Sequence, residues 1–335
     1  MLGREGVSLA ISFRHFRLLA LALMAACALA QDPAAPSSAP PVSTPALSRP
    51  DIQTPAKSEA EAVDVTPDSA GAVPAEQIRE LLQRAEARDL ENDKRQRDYT
   101  YLEREERHKL DGHGGVAKVE SRTLEFLEIY GEPVERLTAR DDKPLSADEA
   151  RKEDEKIQKI IDRRKNESDA ERRRRLEKEE KDHQEDRKFV LEVADAFNFR
   201  LVGSERIDGH DSWVLEAEPR PGYEAKSREA KVLGKFKGRV WIDKAEAQWV
   251  KLDITAIDTV SIGLVLARIH KGTHLVVELT RVNDEVWLPK RLQLHFDARV
   301  ALFKSYDDDV EQTYRDYKKF RTDTKITVVG EEDRE

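Results

Sequence analysis

The chain has 335 residues, 37% of them charged, and a formal net charge of −9. One Cys and two Met leave no material for a disulfide framework, and the acidic balance excludes the basic footprint that nucleic acid requires.

Residues 1–30 have the layout of a secretory signal peptide. Arg4, Arg14 and Arg17 precede the apolar run LLALALMAACALA, and Ala28 and Ala30 supply the small residues of a cleavage site before Gln31. The run is 13 residues long, short of the roughly 20 that span a bilayer. Cleavage after Ala30 predicts a periplasmic mature chain that does not span the membrane. It removes three Arg and one Glu, so the net charge moves from −9 to −11, and it leaves no Cys or Met. The rival is Met24-Ala25-Ala26-Cys27, which has the form of a lipobox and would anchor the chain through a lipidated Cys27. Ala-x-Ala is the commoner processing site and is preferred.

Residues 31–74 hold 9 of the 14 prolines, with Ala, Ser and Thr and almost no large apolar residue. Such a stretch cannot bury enough surface to offset its chain entropy, which predicts a disordered linker. Behind Pro74, Ile78, Leu81, Leu82 and Ala85 recur at helical spacing and predict an amphipathic helix. Alternation from Asp98 to Asp142, punctuated by Gly112, Gly114, Gly115 and Gly131, predicts three strands.

Ser146-Ala147-Asp148-Glu149 is a capping box that opens a helical insertion, 146–188. Residues 151–188 carry 15 basic and 13 acidic side chains. The run Arg172 to Arg175 is nearly cancelled by its neighbours, so the insertion reads as a solvated helical excursion. Phe189, Val190, Val193, Ala194 and Phe197 then line one helical side and bring the chain back to the core. From residue 199 to 328 strands and tight turns dominate, and 329–335 form a disordered tail.

In GRVWIDKAEAQWVKLD, residues 238–253, pairing positions whose numbers sum to 490 sets Val240 opposite Val250 and Trp241 opposite Trp249 around a turn centred on Ala245. Val240, Ile242, Val250, Leu252 and Ile254 then share one face, with both tryptophans on the other. A second hairpin turns at Asn283-Asp284. It sets Leu275 and Leu279 against Leu292 and Leu288, and puts Trp287 opposite Thr280 on the reverse face. Between the hairpins, AIDTVSIGLVLARI (256–269) is the most hydrophobic stretch of the mature chain. It reads either as a core strand or as a loop or short helix closing the mouth of a curved sheet, since periodicity cannot type so short a run.

The order of helix, antiparallel strands, helical insertion and further strands carries GSERIDGHDSWVLEAEP (203–219), GRVWIDK (238–244), HKGT (270–273) and VWLP (286–289). In these residues 76–328 resembles bacterial outer-membrane lipoprotein-sorting, or LolA-like, proteins. The resemblance implies an α+β fold in which an incomplete antiparallel β-barrel wraps around helices and takes acyl chains between them. The domain is then 75–328 with the charged insertion inside it. The aliphatic face would line an acyl groove formed by Ile257, Val260, Ile262, Leu264, Val265, Leu266, Leu275, Leu279, Leu288 and Leu292.

Catalytic signatures are missing: there is no G-x-S-x-G elbow, Walker A loop, G-x-G-x-x-G after a strand, or H-E-x-x-H. His270 and His274 are four apart, but Gly272 between them marks a turn and no third ligand is evident. The expectation is a non-enzyme with no cofactor and no metal. It is either a carrier or binder of lipid or lipoprotein acyl chains, or an envelope scaffold whose charged insertion meets a protein partner.

Overall fold

The computed structural model describes residues 65–130, 132–227, 229–262, 267–300 and 304–320. The expected signal segment with Ala30 and Cys27, residues 31–64 of the expected linker, and the expected tail lie outside the described residues.

The order of elements is α1 (Ala75–Gln96), β1 (Tyr99–Leu110), β2 (Val116–Ile129), β3 (Glu132–Arg140), β4 (Lys143–Pro144), α2 (Ala147–Lys165), α3 (Asp169–Ala196), β5 (Phe197–Ile207) and β6 (His210–Pro219). A 3-10 turn (Glu229–Lys235) leads to β7 (Phe236–Asp243), β8 (Trp249–Ala256), β9 (Val260–Ile262), β10 (Ala267–Ile269), β11 (His274–Val282), β12 (Val286–Val300) and β13 (Lys304–Lys319). The strands make one antiparallel sheet in the order β4-β3-β2-β1-β13-β12-β11-β8-β7-β6-β5, with β10 attached to β12 and β9 to β10. Strands β4 and β5 end the order and do not pair, so the barrel stays open. The C-terminal strand β13 lies between β1 and β12 and joins the N-terminal strands to the rest.

The fold starts before the expected boundary at residue 75. Val65 and Val73 are buried, and Val73 N–H donates to Phe199 O while Leu201 N–H donates to Gly71 O along the β5 edge. Helix α1 buries Ile78, Leu81, Leu82 and Ala85, the stripe legible in the sequence. Ser146 caps α2 in a capping box with Glu149, and Ser168 and Glu171 repeat the device on α3. No residue of α2 is buried. The C-terminal half of α3 is different, burying Phe189, Val190, Ala194 and Ala196. Phe197, expected on the helix, instead starts β5. Helices α1 and α3 run antiparallel and are tied at three levels, by Arg79–Asp195 (2.7 Å), Glu86–Arg187 (3.5 Å) and Arg97–Glu179 (2.6 Å).

Both hairpin registers differ from the sequence reading. In β7–β8, Val240 pairs with Leu252 and Trp241 with Lys251; a β-bulge follows, and Ile242 pairs with Trp249. The loop is longer than expected because Asp243 organises it: its Oδ1 accepts the N–H groups of Ala245 and Glu246, and its carbonyl accepts that of Ala247. The bulge moves Trp249 onto the face of Ile242, while Trp241 stays on the reverse.

In β11–β12, Val282 pairs with Val286 across a three-residue loop, so Trp287 lies opposite Arg281 and Leu288 opposite Thr280. A bulge between Glu278 and Leu279 then restores Val277 to Leu292 and Leu275 to Leu294. Trp287 therefore belongs to the main core, whereas Leu288 joins Tyr99 and Val286 in a separate cluster on the other face. The expectation that Leu288 shares a face with Leu279 is corrected by the extra loop residue, since a slip of one position exchanges the faces of a strand.

Candidate binding groove

The inner face of the sheet and the α1–α3 pair enclose a groove with two lobes that share Leu82 and Val240. The larger lobe has a volume of about 110 Å³ and is walled by Phe189 and Val193 of α3, Phe197 and Phe199 of β5, Val232 and Leu233 of the 3-10 turn, and Phe236, Leu252 and Ile254 of the sheet. One water needs about 10–15 Å³ and several polar partners, so this hydrocarbon-lined space suits an apolar occupant better than ordered water. Gly238, which also lines the lobe, lets β7 approach β8 closely, since a Cβ there would lie 2.3 Å from the Asp253 carbonyl oxygen.

The lobe's third wall is held by a buried carboxylate. Glu192 of α3 accepts from Tyr223 Oη (2.7 Å) and from the N–H groups of Lys226 and Ser227, which pins the segment leading into the 3-10 turn. Burial pushes the Glu192 carboxyl upward, but these hydrogen bonds outweigh it and hold the group below its ordinary range.

The smaller lobe, about 40 Å³, lies toward the other end of the helices and mixes apolar and acidic groups: Ala85, Leu90, Val190 and Ile242 with Glu86, Asp89, Asp186 and His183. Burial raises the Glu86 carboxyl. Trp249 closes the floor, its Nε1 donating to Asp89 Oδ1 at 3.0 Å. Further along α1, the Asn92 side chain grips β12 as a neighbouring strand would, accepting Trp287 N–H (2.7 Å) and donating to Trp287 O (2.8 Å).

The residues expected to line the groove are dispersed. Val260, Leu275, Leu279 and Leu292 are buried in the main core; Ile257 is half-buried; Leu288 is on the opposite face. Ile262 is in β9, paired with Ala267. Leu264, Val265 and Leu266 lie outside the described residues. On either side of them β9 and β10 form a hairpin that pairs with the end of β12, which fits the strand reading of 256–269. Of those whose side chains are described, none lines the larger lobe, which α3, β5, the 3-10 turn and the sheet strands β7 and β8 build. Of the aliphatic face proposed for the first hairpin, Val240, Leu252 and Ile254 do line it. His270 and His274 bond different carboxylates, Asp297 and Asp253.

No protein-family model matches the sequence, and no curated protein matches it. Solved structures do align. A domain described as that of an outer membrane lipoprotein-sorting protein, from Vibrio parahaemolyticus, is 13% identical, with a TM-score of 0.33 over 76% of this chain and 96% of that one. A LolA superfamily protein from Nitrosomonas europaea is 11% identical, with a TM-score of 0.28 over 73% and 94%. MucB, in its complex with MucA from Pseudomonas aeruginosa, is 10% identical, with a TM-score of 0.21 over 71% and 98%.

Proposed function

We propose that the protein is a non-catalytic, exported binder or carrier of acyl chains, taken from a lipid or a lipoprotein, and that the larger lobe between α3 and the open sheet receives them. The observation that carries this reading is a preformed cavity whose walls are almost wholly hydrocarbon. Leu275, Leu279 and Leu292 belong to the same core cluster as the walls of that cavity.

The test is Val193→Trp, which places an indole in the lobe from a half-buried position on α3. Long-chain fatty acid binding, read by displacement of an environment-sensitive apolar dye, should weaken at least about tenfold, a loss of about 1.4 kcal/mol. The melting midpoint should stay nearly constant, because a cavity accommodates volume that a packed core resists at about 1–3 kcal/mol. No dye or fatty acid binding by the wild type, with a large fall in midpoint for the variant, would refute it. A second reading, docking of a protein partner on the charged insertion, is favoured by one observation: α2 lies along β3 and yet buries no residue.

A further inference from the structure

Three histidines distant in sequence meet on the outer face of the sheet. The registers set His108 of β1 opposite Asp309 of β13, Asp309 opposite His295 of β12, and His295 opposite His274 of β11. Four adjacent strands thus present His, Asp, His and His in a single row. The neighbouring row on that face supplies Glu106, Glu311 and Asp253. A depression of about 370 Å³ is lined by the three histidines together with Glu106, Asp309 and Glu311.

Each imidazole is fixed through one nitrogen. His295 Nδ1 lies 2.8 Å from Asp309 Oδ1, His274 Nε2 is 2.8 Å from Asp253 Oδ1, and His108 Nε2 is 2.6 Å from Glu106 Oε1. The other nitrogens, Nε2 of His295 and Nδ1 of His274 and His108, have no protein partner among the described residues. An imidazole that gives one N–H to a carboxylate and keeps the other nitrogen as a lone pair has the arrangement of a metal ligand with its supporting shell. Directly opposed residues on antiparallel strands have Cβ atoms about 4.5–5.5 Å apart, which lets His274 and His295 turn toward one ion at Zn–N distances of about 2.0–2.1 Å. Among the described residues no three donors already surround one point, so the protein supplies two ligands and water completes the set.

We propose that His274 and His295 bind a divalent transition cation with imidazole preference, Zn²⁺ or Cu²⁺, on the face of the sheet opposite the groove. Asp253 and Asp309 act as positioning residues that set the tautomers, and the acidic rim of Glu106 and Glu311 adds favourable charge. The site stands independently of the acyl-binding reading, because none of its residues touches the groove.

Calorimetric titration of the full mature chain with ZnSO₄, with MgCl₂ as control, tests the proposal. Wild type should take up one Zn²⁺ and give no response to Mg²⁺. His274→Gln and His295→Gln should each weaken binding at least about tenfold, Asp309→Asn should weaken it by about 10–100-fold, and His270→Gln, beyond the depression, should leave it unchanged. Both ligand histidines are half-exposed, so the variants keep the fold, which their melting midpoints verify. Absence of Zn²⁺ uptake by wild type, uptake indifferent to His274 and His295, or an equal response to Mg²⁺ would overturn it.

Discussion

Replacing Glu103 with Gln should make the protein more stable at neutral pH and not at acid pH. Glu103 is on β1, 2% exposed, on the inner face between Leu124 of β2 and Tyr314 of β13. Burial raises its carboxyl from 4.5 to about 8, and the charge of neighbouring Glu105 adds to the rise. Arg122 and Arg107 do not offset this fully, because they are turned to Glu105, whose Oε2 accepts from Arg122 (2.8 Å) and from Gln312 Nε2 (2.9 Å). Below pH 4.5 Glu103 is protonated whether the chain is folded or not, and it adds no pH dependence. Between pH 4.5 and about 8 the unfolded chain ionises while the folded one resists, so stability falls as pH rises. Each unit is worth about 1.4 kcal/mol, so by pH 7 the loss from this carboxyl is on the order of 3 kcal/mol. Gln cannot ionise and keeps a side-chain oxygen for Tyr314. Urea unfolding of wild type and Glu103→Gln at pH 5, 6, 7 and 8 should show a stability difference that starts near zero and grows in favour of the variant. A difference that is independent of pH, or that favours wild type at pH 8, would refute the reasoning.

Asn92→Ala should cost roughly 1–3 kcal/mol in urea unfolding, because it leaves the buried N–H of Trp287 without its acceptor, while the Trp287 carbonyl keeps Gln96 Nε2 (2.9 Å); Asn92→Asp, which can accept but not donate, should destabilise less. Deleting residues 148–176 and bridging with Gly and Ser should preserve a cooperative melting transition, since this stretch contains no buried residue. Extending the deletion to residue 190 should abolish the transition, because Phe189 and Val190 are core.

The sequence by itself determined the elements whose signals are local. The stripe Ile78, Leu81, Leu82 and Ala85 defines α1, Ser146 with Glu149 opens α2, and period-two alternation types the strands, so the elements of a mainly antiparallel fold were legible. Tertiary structure decided what each strand face touches. The bulge before Trp249 and the third loop residue before Val286 carry no residue type that announces them, yet each transfers a tryptophan from one face to the other, Trp249 to the floor of the smaller lobe and Trp287 to the core. The lobe itself is made where the adjoining α3 and β5 meet the 3-10 turn, whose Val232 lies more than thirty positions beyond Phe199 and is placed beside it only by packing. The histidine row has the same origin: the β11–β12 hairpin sets His274 beside His295, and Asp309 and His108 join them because β13 returns to pair with both β12 and β1.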